Sequence, residues 1–224
     1  MQILVAIPVY DGKLPAETVR SLLNEKGAAH LLGDDIVVEF VTACSHPAMG
    51  RNQLADSFVK SGFDRMIFLD SDVTFEPGQL LKLAHWPVDF VGGAYRFKLP
   101  IENYPIGWLP DPELKGLQAN EFGLLEIAAL PSGFMCLSQN VFAKIREAHP
   151  GREFTHMGKT FFTYFFMPYL DGHLWSEDAY FSKEWRETGG KVWLDPEIPL
   201  THWDFSPTPY KGHIGNWLKT RKQE

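Results

Sequence analysis

Met66-Ile67-Phe68-Leu69 is an unbroken apolar run set between Arg65 and Asp70, and it constrains the fold more than any other stretch of the chain. A strand with one wet face alternates polar and apolar residues. A run with no polar member has to be covered on both sides, as in a parallel sheet with helices on each face. The run ends at Asp70-Ser71-Asp72, so two carboxylates at i and i+2 stand where the strand leaves the core. Like charges this close repel unless a cation lies between them. Mg²⁺ and Mn²⁺ take carboxylate oxygens together with the oxygens of a bound diphosphate. The pattern points to a divalent metal held for a nucleoside diphosphate, set against the commoner origin of D-x-D as a solvated turn.

The elements around this run alternate. Ile3 to Ile7 reads as a buried strand, followed by a turn over Pro8-Val9-Tyr10-Asp11-Gly12. Pro15 suits a first helical residue, and Val19, Leu22 and Leu23 give an apolar stripe through about Asn24. Ile36 to Val41 is a second strand, Ala43 to Gly50 a loop, and Arg51 to Ser61 a helix with Leu54, Phe58 and Val59 on one face. Pro77 opens a short helix through Ala84, and Val88 to Val91 is a strand closed by Gly92-Gly93. Strand and helix in alternation predict parallel βαβ units.

The second half is less regular. Leu124 to Leu130 and Phe134 to Leu137 read as paired strands around Pro131-Ser132-Gly133. Ser138 is placed to cap a helix from Gln139 to Ala148. The aromatic stretch Phe161-Phe162, Tyr164-Phe165-Phe166 and Tyr169 reads as core, with a wall over a site as the alternative. Ser176 opens a helix through Thr188, Lys191 to Leu194 is a short strand, and a last helix runs from His213 to Thr220. No linker composition appears. One domain over 1–224 is expected, with a nucleotide-binding half at about 1–95 and an acceptor-side half at about 96–224.

Composition narrows the partners. A net charge of −7 over 224 residues counts against a broad basic face for duplex nucleic acid, and the one basic cluster, Lys219, Arg221 and Lys222, reads as a solvated tail. The two cysteines, Cys44 and Cys136, lack metal-ligand spacing, and a reducing cytoplasm is the simplest setting. Ile3 to Ile7 is too short for a signal-peptide core, and no apolar run reaches membrane-span length, so no integral membrane association is expected.

Six segments in order now carry a resemblance. They are Ile7-Pro8-Val9-Tyr10, Gly50-Arg51-Asn52, Phe68-Leu69-Asp70-Ser71-Asp72-Val73, Pro131-Ser132-Gly133-Phe134-Met135, Ser176-Glu177-Asp178-Ala179-Tyr180-Phe181, and Gly190-Lys191-Val192-Trp193-Leu194-Asp195 followed by His202. The set resembles the GT-A class of nucleotide-sugar glycosyltransferases, and within it the bacterial and phage enzymes related to the fungal mannan-polymerase type of mannosyltransferase. The resemblance covers most of the chain. It departs at Asp204, where the family often carries glycine two residues after the histidine.

The resemblance implies a Rossmann-like α/β fold with a mostly parallel central sheet flanked by helices. It implies Asp70, Asp72 and His202 as ligands to Mn²⁺ or Mg²⁺, with Asp70 and Ser71 close to the nucleotide. Neutral imidazole suits Mn²⁺ better than Mg²⁺. Glu177 and Asp178 also suit a helix N-terminus on electrostatic grounds; the family role is a carboxylate at the acceptor hydroxyl, most often at the position of Asp178. Pro8 and Tyr10 would border the nucleobase, with Asp11 also in the donor-binding set, Arg51 would pair with a phosphate or the base, Ser132-Gly133 would let backbone approach the donor sugar, and Lys211 would reach the diphosphate from a C-terminal loop. Trp175 and Trp203 flank the site in sequence.

The implied activity is transfer of a hexosyl or pentosyl group from a UDP- or GDP-sugar to a hydroxyl, with the stereochemistry open. The acceptor is a glycan, a small molecule, a protein or a modified base in DNA. Two rivals stand beside it. A sugar nucleotidyltransferase would carry a Gly-rich phosphate loop after the first strand, which Pro8 to Gly12 is not. A catalytically silent nucleotide-sugar or glycan-binding module would not need the acidic residues and the histidine.

Overall fold

The computed structural model describes residues 1–44, 46–110, 116–204 and 208–221. Ser45, within the expected loop, and Lys222, in the basic cluster, lie outside them. The first half runs β1 (Gln2–Val9), α1 (Ala16–Leu32), β2 (Asp35–Thr42), α2 (Pro47–Ser61), β3 (Arg65–Leu69), β4 (Val73–Phe75), α3 (Gln79–His85) and β5 (Phe90–Gly92). The second runs β6 (Leu125–Ile127), β7 (Phe134–Ser138), α4 (Gln139–Ala148), β8 (Glu153–His156), β9 (Lys159–Phe162), β10 (Tyr169–Leu170), β11 (His173–Leu174), α5 (Glu177–Glu187), β12 (Val192–Leu194), β13 (Leu200–His202), β14 (Tyr210–Gly212) and α6 (Ile214–Arg221).

Seven strands form the central sheet in the order β2-β1-β3-β7-β5-β12-β6. The pairings β1–β2, β1–β3 and β5–β12 are parallel; β7 runs against both its neighbours, and β6 runs against β12. All strands but β6 and β7 therefore point the same way. The sheet divides the core. Met66 and Phe68 of β3 face one side with Leu54 and Phe58 of α2, Phe142 of α4 and Phe181 of α5. Ile67 and Leu69 face the other with Leu22 of α1 and Leu80 and Leu83 of α3. The apolar run is covered on both sides because helices lie on both sides.

Several boundaries differ from the sequence expectation, each for a local reason. α1 continues eight residues past Asn24, to a left-handed Gly33 at φ 77°; Leu31 and Leu32 extend it but point to solvent, so they add nothing to the apolar stripe. α2 begins at Pro47 rather than Arg51, which suits a residue with no N–H to leave unpaired. α3 starts after Gly78, two residues beyond Pro77. Ser138 does precede α4, but its hydroxyl donates to Asp89 Oδ1 at 2.5 Å instead of capping the helix.

The larger correction concerns β6 and β7. They do not pair with each other: β7 inserts between β3 and β5, and β6 goes to the far edge beside β12. Phe134, Met135, Cys136 and Leu137 are all buried and need cover on both faces, which only the centre of the sheet provides. β6 carries Glu126, which pairs with Lys191 and suits an edge. A second, three-stranded sheet, β14-β13-β4, has no counterpart in the sequence reading.

The aromatic stretch is largely core. Phe161, Phe162, Tyr164 and Phe165 are buried, and Phe165 stacks on Phe181 with ring centroids 4.3 Å apart, whereas Tyr169 is exposed. Asn52 of α2 holds this segment: its Oδ1 accepts from Tyr164 N (2.9 Å) and Phe165 N (2.8 Å), and its Nδ2 donates to Phe165 O (2.8 Å). Removing that amide leaves three buried backbone groups unpaired. Asn52→Ala is expected to lose about 3 kcal/mol of stability, read as a lowered urea midpoint at constant m-value. An unchanged midpoint would show that the contacts contribute no net stability.

Candidate active site at the carboxyl edge of the sheet

The turn after β3 is fixed from several directions. Asp70 N donates to Gly133 O (3.1 Å), and Val73 N closes back on Asp70 O (3.1 Å). Thr18 of α1 donates to Ser71 O (2.9 Å), and Trp203 N donates to Asp72 O (2.8 Å). β4 then pairs with β13 so that His202 lies opposite Val73. This is how residue 202 reaches a turn 130 residues earlier in the chain.

A cavity of about 340 Å³ opens there, lined by Pro8, Tyr10, Cys44, Pro47, Arg51, Asp70, Ser71, Asp72, Tyr95, Ser132, Glu177 and Asp178. The two aspartates diverge. Arg51 is buried and spans two carboxylates, with one terminal nitrogen 2.7 Å from Asp70 Oδ1 and the other 2.9 Å from Glu177 Oε1. Burial alone would lower the Arg51 pKa, but Asp70 and Glu177 outweigh it and raise it. Tyr95 donates its hydroxyl to Asp70 Oδ2 (3.2 Å); burial, then the Asp70 charge, push its pKa well above the ordinary phenol value.

Asp72 meets a different cation. Lys98 Nζ lies 2.5 Å from its Oδ2, and His202 Nε2 is 3.5 Å from the same oxygen. Burial would raise the Asp72 pKa, but its contacts with His202 and Lys98 hold it at about 2. His202 Nδ1 faces the Arg96 carbonyl at 3.0 Å. A carbonyl only accepts, so Nδ1 carries a proton; Nε2 faces Asp72 as a donor when the ring is charged and as a lone pair when it is neutral. The repulsion assigned from sequence to a shared metal is thus met by two side-chain cations, Arg51 and Lys98. Among the described residues, no three His, Cys, Asp or Glu side chains converge on one point. Beside this cavity Asp72 and His202 present an oxygen and a nitrogen to one locus, and that donor pair fits a divalent transition ion.

Glu177 and Asp178 begin α5 after Ser176, whose Oγ accepts from Ala179 N at 3.4 Å. Glu177 is committed to Arg51. Asp178 Oδ1 accepts from Ser176 Oγ (2.5 Å) and Ala179 N (2.8 Å), and the residue lines the cavity. A Cβ on Gly133 would lie 2.5 Å from both Asp70 Oδ2 and Tyr95 Cε1, so its bare Cα makes room for that pair. Tyr10 stands at the rim with its ring exposed, while Asp11 turns back to accept from Lys13 N (3.1 Å) and does not line the cavity. Trp203 donates to Thr74 Oγ1 (2.9 Å), and Trp175 packs edge-on to Tyr180.

Lys211 is the clearest displacement. It sits on β14 opposite Thr201, lining a separate surface cavity with Glu102, His213 and Trp217. Tyr210, not Lys211, pairs with His202, and strand alternation sends the two side chains to opposite faces. Tyr95 and Lys98 are the residues that sequence reasoning missed. Tyr95 had a signal, since it lies three residues past the end of β5, at the same edge as Asp70. Lys98, in Phe97-Lys98-Leu99-Pro100, had none.

Removing Arg51 would strand two partly buried carboxylates against each other. Arg51→Ala is expected to cost about 3 kcal/mol, and Arg51→Lys to restore less than half, because one ammonium cannot replace a planar fork that reaches two acceptors. Urea unfolding of both variants checks this; full rescue by lysine would remove the bidentate argument.

No family model and no curated protein matches the sequence. Solved structures do. GalNAc-T7, solved with UDP, GalNAc and Mn²⁺, superposes with a TM-score of 0.52 at 13% identity, over 92% of this chain and 45% of that one. The catalytic domain of Drosophila β1,4-galactosyltransferase 7 with xylobiose gives 0.49 at 10% identity, over 95% and 70%. S. aureus TarS with UDP-GlcNAc gives 0.47 at 12% identity, over 96% and 61%. The chain spans less than half of the GalNAc-T7 chain it matches. At such identities the likeness is one of architecture, and this chain has the mixed α/β GT-A fold, with a mostly parallel central sheet between helices.

Proposed function

We propose that this chain is a metal-dependent glycosyltransferase that moves a sugar from a UDP- or GDP-sugar to an acceptor hydroxyl. The observation that carries the reading is the gathering of Asp70, Asp72, Arg51, Glu177 and Asp178 around one cavity at the carboxyl ends of β1 and β3, with His202 against Asp72. Open α/β sheets bind ligands at that edge.

Asp72 and His202 would hold Mn²⁺, or less favourably Mg²⁺. When bound, that ion supplies positive charge to the leaving nucleoside diphosphate. Tyr10 at the rim offers its ring as a stacking face for the base. Arg51, fixed by Asp70 and Glu177, keeps positive charge facing the cavity. Asp178 is the carboxylate for the acceptor. In an inverting course it takes the proton of the hydroxyl; in a retaining course it orients that hydroxyl. Motif order resembling the mannan-polymerase type is the reason to test GDP beside UDP. Among the described residues, no helix is long and apolar enough to cross a membrane.

A thermal-shift series of UDP, GDP and CDP, with and without Mn²⁺, tests the reading. A nucleotide at about 100 times its Kd adds about 2.7 kcal/mol, a rise of about 5–10 °C for a chain of this length. One nucleotide is expected to give that shift with Mn²⁺, and Asp72→Ala to abolish both the shift and the slow hydrolysis of the matching nucleotide sugar. Binding without hydrolysis or transfer would indicate a silent binding module. No shift with any nucleotide would remove the proposal.

A further inference from the structure

Lys98 occupies the locus that the proposed function needs for a metal. Its Nζ is 2.5 Å from Asp72 Oδ2, the oxygen that also faces His202 Nε2 at 3.5 Å. That second distance is long for a direct hydrogen bond and short enough for one ion to touch both atoms. The ammonium and a divalent ion would therefore compete for one oxygen.

The loop that carries Lys98 also sets the histidine. Arg96, two residues before it, accepts from His202 Nδ1 through its carbonyl (3.0 Å). The Arg96 guanidinium donates to Leu99 O (2.7 Å) and Pro100 O (3.1 Å), and Phe97 N donates to Asn103 O (2.9 Å). The backbone of this turn is braced from within, while Leu99 and Ile101 at its tip are exposed. Lys98 itself is a point charge on a four-carbon stem with many rotamers. It can leave Asp72 while the Arg96 carbonyl stays on His202.

Charge decides where it goes. Four carboxylates (Asp70, Asp72, Glu177 and Asp178) stand against the two cations Arg51 and Lys98 in and beside the cavity. A diphosphate adds further negative charge to a site already in excess of it. A lysine released from Asp72 is attracted to those oxygens rather than to bulk solvent.

We infer that Lys98 is a resident cation of the donor-free site, which yields Asp72 to the divalent ion and then pairs with the donor diphosphate. The inference rests on the proposed function and assigns a donor-binding role to a residue outside the acidic motif. It requires effects of opposite sign on the two ligands. Lys98→Gln is expected to bind Mn²⁺ alone about tenfold more tightly than the natural chain, because the competitor is gone. With saturating Mn²⁺ the same variant is expected to bind the nucleotide that shifts the melting temperature about tenfold more weakly. Lys98→Arg, which keeps the charge, should stay near the natural values for both.

Mn²⁺ affinity read by electron paramagnetic resonance without nucleotide, and nucleotide affinity by calorimetry with Mn²⁺, check the two arms. Equal Mn²⁺ affinity in the natural chain and Lys98→Gln, or a change of the same sign in both arms, overturns the Lys98 inference alone. Absence of Mn²⁺ binding to the natural chain and both variants, with and without nucleotide, overturns the metal-dependent reading and this inference with it. Thermal unfolding in EDTA establishes that each variant is folded, and Lys98→Arg keeps the comparison decisive should the glutamine variant unfold.

Discussion

Arg51 between Asp70 and Glu177 is the contact on which the site depends. It joins the end of a central strand to the start of α5, with Arg51 and Glu177 126 residues apart in sequence. Neither carboxylate could approach the other at this edge without a cation between them, and the cation has to be rigid, planar and able to bond on two sides. Its helix is placed for the purpose: α2 starts at Pro47, packs Leu54 and Phe58 into the core, and so delivers Arg51 to the carboxyl edge. One residue later, Asn52 ties the same helix to the buried Tyr164-Phe165 segment. The electrostatic centre and the core are therefore held by adjacent residues.

A second constraint is space. Gly133 leaves room for the Asp70 carboxylate and the Tyr95 ring, and the carbonyl of Gly133 holds Asp70 N. That proximity follows from β7 running against β3, which turns the Pro131-Ser132-Gly133 link toward the end of β3. The reversed direction of β7 is what closes the pocket on that side. The small sheet closes it on the other, bringing His202 to Asp72 through the β4–β13 pairing.

The divergence of Asp70 and Asp72 has a chemical meaning. Asp70 is engaged by Arg51 and Tyr95, so it acts on the pocket through them. Asp72 is engaged by a flexible lysine and a histidine whose outer nitrogen is already fixed. Of the two, Asp72 has the more exchangeable partner, since an ammonium on a flexible stem is held less rigidly than a buried planar guanidinium.

The amino-acid sequence by itself determined the layered α/β class. Met66 to Leu69 and Ile3 to Ile7 can be satisfied only between two helical layers, and Gln139 to Ala148 carries its own helical periodicity and begins and ends where expected. It also placed Asp70, Asp72, Glu177 and Asp178 at strand ends and helix starts, because local chain direction is a local property. Only the tertiary structure decided which strands are neighbours. The separation of β6 from β7, the β4–β13–β14 sheet, the arrival of Lys98 on Asp72 and the turning of Lys211 to another surface all depend on long-range pairing. Pairing register and partner choice are set by how both faces of every strand are buried at once, and no single segment records that.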